Sequence, residues 1–247
     1  MEIKHIDCEI TEGIGIITFR RPPSNAMNSQ MLDSLGYILS RWRETESIRV
    51  IIFTGGVRNA FLTGADLDQL FGQGTTQDLI NEDYNGFYGI QRMYSDIEKL
   101  PKLTIAAING VCIGAGLELA IVCDLRIASE LAYFSMPEAD LGIMPTVGAT
   151  QRLPRLIGVG RAKEMLYFGR RINAETALQW GLINRIVPRK GVLNAALDVA
   201  RELAAKPLEP LLAMKDCINF GLEQGLDEAL NYETETFIDL MKAKLLG

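Results

Sequence analysis

Two glutamates stand where a chain usually keeps apolar side chains. Glu118 follows the glycine-rich run Asn109-Gly110-Val111-Cys112-Ile113-Gly114-Ala115-Gly116-Leu117, and Glu138 lies in Met136-Pro137-Glu138-Ala139-Asp140-Leu141-Gly142. Both interrupt stretches that read as core, where an unpaired charge is expensive. Two carboxylates facing one substrate can divide acid and base work between them. Taken singly, each has a plainer account. Glu118 could be a buried acid satisfied by hydrogen bonds, and Glu138 could cap the turn after Pro137.

Other chemistries are poorly supplied. His5 is the only histidine and lies in the first strand region, which removes Ser-His-Asp, Cys-His and multi-histidine metal sites. Cys8, Cys112, Cys123 and Cys217 are far apart, with no CxxC or other metal spacing. They read as buried thiols in a reducing compartment. Carboxylates and backbone groups are left to do any chemistry, and that chemistry calls for no metal or redox cofactor.

The backbone offers two suitable places. Gly110 to Gly116 leaves a strand and starts a helix, so N–H groups near Ala115 are free to bind an oxygen anion. The spacing is GxxxGxG rather than GxGxxG, and a hairpin, a helix and a strand precede it, which excludes a dinucleotide fingerprint. Asn59-Ala60-Phe61-Leu62-Thr63-Gly64-Ala65-Asp66-Leu67 likewise ends a loop and opens a helix. Asp66 suits its N-cap, and Gln69 three residues later completes a capping-box pattern. Alone, that motif is a capped surface helix. Two helix starts beside two acids make the plainer accounts much weaker.

The surrounding elements follow from periodicity. Ile6 to Ile10 and Ile14 to Phe19 are β-branched runs around a Thr11-Glu12-Gly13 turn, a hairpin signal. Helical spacing runs over Ser29 to Glu44, and Val50 to Phe53 reads as a buried strand. A helix from Asp66, a helix over Tyr84 to Leu100, a strand at Thr104 to Ile108, a helix after Gly114 and a strand at Leu125 to Ala128 continue the alternation. Such alternation predicts a mostly parallel sheet with crossover helices. From Gly148 onward the pattern is helical, with only Arg185-Ile186-Val187 extended.

At 247 residues, 48% hydrophobic and 23% charged, the composition is that of an ordinary globular protein. A net charge of -6 weighs against nucleic acid or an anionic membrane as the main partner. Leu103 to Val122 is long and apolar, yet contains Asn109, three glycines and Glu118. An acid inside a membrane span costs roughly 2.5–3.5 kcal/mol, so strand, loop and buried helix are expected there instead. Met1 to His5 runs straight into a strand pattern, and a cytoplasmic protein is the expectation.

Taken together, the motifs resemble the crotonase (enoyl-CoA hydratase/isomerase) superfamily. The matching pieces include Arg21-Pro22…Asn25-Ala26-Met27, Ala60 to Leu67, Ala106 to Gly110, Gly114 to Ala120, Cys123 to Ala128, Pro137-Glu138-Ala139, Leu141 to Pro145 and Gln151-Arg152-Leu153. They span nearly the whole chain in the family's order. The resemblance implies an α/β fold, a spiral of ββα units with a helical C-terminal trimerisation region. It divides the chain into a spiral core with the thioester site over 1–190 and a helical region for oligomerisation and site cover over 191–247.

It also implies a function. The expected reaction is hydration of an enoyl-CoA thioester to a 3-hydroxyacyl-CoA. The alternatives are a Δ3,Δ2-enoyl-CoA isomerase, another acyl-CoA lyase or hydrolase on this scaffold, or a non-catalytic RNA-binding homologue. The implied catalytic pair is Glu118 and Glu138, and Ala65 and Ala115 supply oxyanion-hole N–H groups. Ala26, Met27, Thr63, Ala65, Asp66 and Leu67 fall in the segments that hold coenzyme A, which is part of the substrate rather than a cofactor. A homotrimer or homohexamer is implied, with no nucleic-acid or membrane partner.

Arg20 and Arg21 are candidates for phosphate contact, or simply solvated loop charge. Ala115 stands where many relatives have glycine, and its methyl group could narrow the acyl end of the pocket. Specificity should come from Gly72 to Lys99, with Phe71, Tyr84, Phe87 and Tyr88 as possible wall residues. Apolar positions such as Leu211, Leu212, Met214, Ile218 and Phe220 are more than one domain would cover.

Overall fold

The computed structural model describes residues 2–71 and 84–246. The chain opens with a hairpin, β1 (Ile6–Thr11) and β2 (Ile14–Phe19), then helix α1 (Ser29–Arg43). Three spiral turns follow. The first is β3 (Val50–Gly55), β4 (Ala60–Thr63) and α2 (Leu67–Phe71), after which α3 (Tyr84–Glu98) crosses back. The second is β5 (Leu103–Ile108), β6 (Val111–Ile113) and α4 (Ala115–Val122). The third is β7 (Leu125–Ser129), β8 (Tyr133–Ser135) and a 3-10 turn over Glu138–Leu141.

The remainder is mainly helical. It comprises α5 (Ala149–Ile157), α6 (Val159–Phe168), β9 (Ile172–Asn173), α7 (Ala174–Gln179), β10 (Arg185–Val187), α8 (Val192–Ala204), α9 (Leu208–Gly221) and α10 (Leu226–Leu246). None of the described helices is long and apolar enough to cross a membrane.

The strands form two sheets rather than one. The larger has the order β1-β2-β3-β5-β7-β10, with every pair parallel except the opening hairpin. The smaller has the order β4-β6-β8-β9. Each spiral turn therefore places its first strand in the large sheet and its second in the small one. The inner strands β2, β3 and β5 of the large sheet are covered on both faces, which explains their unbroken apolar runs. Ile17, Phe19, Ile51, Phe53, Ala106 and Ile108 point into one core. Ile14, Ile16, Val50, Ile52, Ile105 and Ala107 point into the other. Helix α8 closes that second core with Val192, Ala196 and Ala200, four residues apart on one face.

The C-terminal apolar residues divide in a way the sequence does not reveal. Leu211 and Leu212 pack against the second core, and Phe220 stacks on Tyr232 with ring centroids 4.0 Å apart. Met214, Ile218, Leu226 and Phe237 remain exposed. Helix α9 is tied down by charge as well. Asp124 accepts from the Thr104 N–H and hydroxyl and from Lys215 Nζ at 3.0 Å.

In the small sheet, Thr63 pairs with Ile113, and Ile113 pairs with Ser135. The three strand ends lie in one row, so the segments beyond them, Gly64-Ala65, Gly114-Ala115 and Pro137-Glu138, emerge side by side. Gly116 tightens this row. A side chain there would meet the Leu62 carbonyl oxygen at 2.5 Å, because the first turn of α4 lies directly on β4. Gly116→Ala is expected to destabilise the fold by about 1–3 kcal/mol through this overpacking. The urea midpoint measures the effect, and an unchanged midpoint would show that the approach is not a constraint.

Candidate functional site

A cavity of about 490 Å³ opens at the end of that row. Ala65, Ala115, Glu118 and Glu138 all line it, with Met27, Thr63 and Leu67 on one wall and Phe87, Ile90 and Tyr94 of α3 on another. Ala26 and Asp66 stand outside the lining. Asp66 caps α2 by accepting from the Gln69 N–H at 3.2 Å, and its carboxylate pairs with Arg21. The expected capping box is only half formed. The Gln69 side chain instead accepts from Asn28 Nδ2, and the Asp66 N–H donates to the Met27 carbonyl. Residues 72–83, and the side chains of Phe71 and Tyr84, lie outside the described residues.

Among the described residues, neither the Ala65 nor the Ala115 backbone N–H has a hydrogen-bond partner. Each follows a glycine at positive φ, Gly64 at 94° and Gly114 at 53°, conformations that strain any other residue. A Cβ on Gly114 would lie 3.6 Å from the Gly64 Cα and 2.7 Å from Glu138 Oε1. The two glycines thus face each other with the Glu138 carboxyl beside them. Two N–H groups left bare on facing loops can hold one oxygen anion between them.

Glu118 lies one turn into α4 and is 2% exposed. Its Oε1 accepts from the N–H groups of Val147 and Ala149, each at 3.0 Å. Burial pushes its carboxyl up to about 7. The Ala149 N–H opposes that shift, the Glu138 charge adds to it, and the Val147 N–H and Arg152 oppose it again. Glu138 begins the 3-10 turn, and its Oε2 is buried without a hydrogen-bond partner. Burial raises its carboxyl too, against the pull of its own backbone N–H. Glu118 can therefore take up or release a proton near neutral pH, with the raised Glu138 carboxyl beside the same cavity.

Sequence reasoning gave no role to the supports. Arg152 donates to the Val147 carbonyl at 3.1 Å, to Ser95 Oγ at 3.1 Å and to Glu98 at 2.8 Å, which fixes the loop that binds Glu118. Tyr94 is fully buried, with its hydroxyl 3.1 Å from the Ala115 carbonyl oxygen. Phe87, Ile90, Tyr94 and Ile97 have helical spacing, and that signal reads simply as core. Of the two arginines considered for phosphate contact, Arg20 pairs with Asp7 and Arg21 with Asp66. A larger cavity of about 630 Å³ lies between α3, α5 and α9. Its lining includes neither Glu118 nor Glu138 and neither bare N–H group, so the smaller cavity is the candidate site.

Known proteins are similar to this chain in sequence and fold. Residues 9–245 match the model of the enoyl-CoA hydratase/isomerase family. The short-chain-enoyl-CoA hydratase of Clostridium acetobutylicum is 34% identical over 238 residues, 96% of this chain and 89% of that protein. The crotonyl-CoA hydratase of Syntrophomonas wolfei is 33% identical over 239 residues, 96% of this chain and 90% of its own. The crystal structure of an enoyl-CoA hydratase from Bacillus anthracis superposes with a TM-score of 0.90 at 34% identity, covering 97% of this chain and 92% of that one. With its two sheets, its spiral and its helical C-terminal third, this chain belongs to the enoyl-CoA hydratase/isomerase family of the crotonase superfamily.

Proposed function

We propose that the protein is an enoyl-CoA hydratase, adding water across the 2,3 double bond of an enoyl-CoA thioester to give a 3-hydroxyacyl-CoA. The observation that carries this reading is the meeting of two carboxyls and two unpartnered N–H groups in one cavity. The thioester oxygen sits between the Ala65 and Ala115 N–H groups. Glu118 takes a proton from water as its oxygen bonds to C3, and the π electrons move through C2 onto the thioester oxygen. Glu138 then delivers a proton to C2, and the carbonyl re-forms. Losing one fixed donor to such an oxyanion typically costs about 2.7–4 kcal/mol of transition-state stabilisation.

The coenzyme A chain runs along Met27, Thr63, Ala65 and Leu67, which line the cavity, with Ala26 and Asp66 shaping the adjoining loop. Coenzyme A enters as part of the substrate, and we assign no separate cofactor. We place the site within residues 1–190 and assign residues 191–247 to oligomerisation and site cover, in a homotrimer or homohexamer. The exposed Met214, Ile218, Leu226 and Phe237 support an interface on these helices. The four free thiols fit action in the cytoplasm, and the acidic balance fits a protein without a nucleic-acid or membrane partner.

A second reading has one observation in its favour. The unpartnered Glu138 Oε2 is able to carry a proton between C2 and C4 by itself, which is the work of a Δ3,Δ2-enoyl-CoA isomerase. Crotonyl-CoA hydration, followed as loss of enoyl-thioester absorbance, separates the two. Glu118→Gln and Glu138→Gln are each expected to lower kcat by about 100-fold or more. Full hydration by Glu118→Gln, with loss in Glu138→Gln, would overturn the two-acid mechanism. As a base Glu118 must be ionised, so kcat/KM for hydration should fall as pH drops through about 7.

Glu118 also costs stability. Its folded-state carboxyl titrates at about 7 against an ordinary 4.5, so between those values the folded chain holds a proton that the unfolded chain has released. The stability this contributes is complete below 4.5 and is lost as pH rises through 7, at most about 3 kcal/mol for such a shift. Glu118→Gln keeps an oxygen for the Val147 and Ala149 N–H groups and removes the titration. It should therefore be more stable than wild type at pH 8, with the gap closing toward pH 5. Equal denaturant midpoints at both pH values would contradict this.

A further inference from the structure

The Tyr94 hydroxyl touches the segment that carries the Ala115 N–H and the Met27 side chain, whose backbone pairs with the segment that carries the Ala65 N–H. It lies 3.1 Å from the Ala115 carbonyl oxygen and 3.2 Å from Met27 Sδ. Met27 in turn brackets Ala65. Its N–H donates to the Gly64 carbonyl at 2.8 Å, and its carbonyl accepts from the Asp66 N–H at 2.7 Å. One hydroxyl thus joins the start of α4 to the strand-like segment alongside Gly64-Ala65. A ring serving only as core filler would not need this oxygen, and a phenylalanine would avoid burying a hydroxyl. Burial, reinforced by the nearby Glu118, holds the phenol well above its ordinary titration range, so it stays protonated and donates. Its single proton goes to the carbonyl, the stronger acceptor, and leaves the thioether packed against the oxygen.

We propose that Tyr94 is a positioning residue whose hydroxyl sets the separation of the Ala65 and Ala115 N–H groups. The inference rests on reading those groups as the oxyanion donors. It matters because such donors act only at about 2.7–3.1 Å from the developing oxyanion, so a small slip between the two loops weakens both. The substrate does not touch the hydroxyl in this role; the effect passes through the two backbone segments.

Difference infrared spectroscopy of bound butyryl-CoA, carbon-13 labelled at the thioester carbonyl, tests the idea on the intact enzyme. In wild type the carbonyl stretch should fall below its solution frequency. In Tyr94→Phe it should return partway toward that frequency, with crotonyl-CoA kcat down about tenfold, less than the loss of a whole donor, and KM changed little. An unchanged frequency or an unchanged kcat in Tyr94→Phe overturns the positioning role. A wild-type carbonyl already at its solution frequency overturns the donor-pair reading itself. If Tyr94→Phe does not fold, Met27→Leu removes the other leg of the bridge and must shift the stretch in the same direction; no shift there overturns the bridge.

Discussion

A carboxyl buried among leucine, isoleucine and tyrosine side chains must be met by donors, and those donors must be held still. Most of the architecture around the site answers that requirement for Glu118. Its two hydrogen bonds come from the backbone at the entry to α5, from Val147 in the preceding loop and from Ala149, the first residue of the helix. That segment is held by Arg152, which is fixed on α3 by Ser95 and Glu98. The fit is close enough that a side chain on Gly148 would collide with the Arg152 guanidinium. One acid on α4 thereby dictates the path of a loop, the placement of an arginine and the seating of another helix.

The repeating spiral supplies the second ingredient. Each turn ends its small-sheet strand in the same row, so three unrelated stretches of sequence deliver their following residues to one place. Two turns contribute backbone donors after a glycine, and the third contributes a carboxyl. The large sheet makes this possible by burying both faces of its inner strands, which leaves the small sheet's strand ends as the place where polar groups meet the cavity.

Much of this was readable from residue order. The long elements stood out because their apolar spacing persists over several turns, as in Met31, Leu35, Ile38 and Trp42 of α1. The two glutamates stood out because charge is rare in apolar runs. The short strands β4, β6, β8 and β9 did not, since two to four residues cannot display a period. The single sheet expected from alternation became two for that reason. Arg152 and Tyr94 were hidden differently. An arginine in a polar helix and a tyrosine on an apolar face look ordinary, and their value lies in backbone groups distant in sequence. The ion pairs of Arg20 and Arg21 were equally hidden, because their partners Asp7 and Asp66 are near only in the folded chain.

The bare N–H groups at Ala65 and Ala115 belong to the main chain. Every replacement except proline keeps them, so a scan of side-chain deletions at these two positions would pass over the proposed oxyanion donors. The glycines before them are the vulnerable points. This separation gives the fold unusual freedom over evolutionary time. On the proposed function, side chains at the cavity wall can change to admit different acyl groups while the pair of N–H donors persists as a property of chain path. Divergent specificity on a constant chemical step is what such a division would produce.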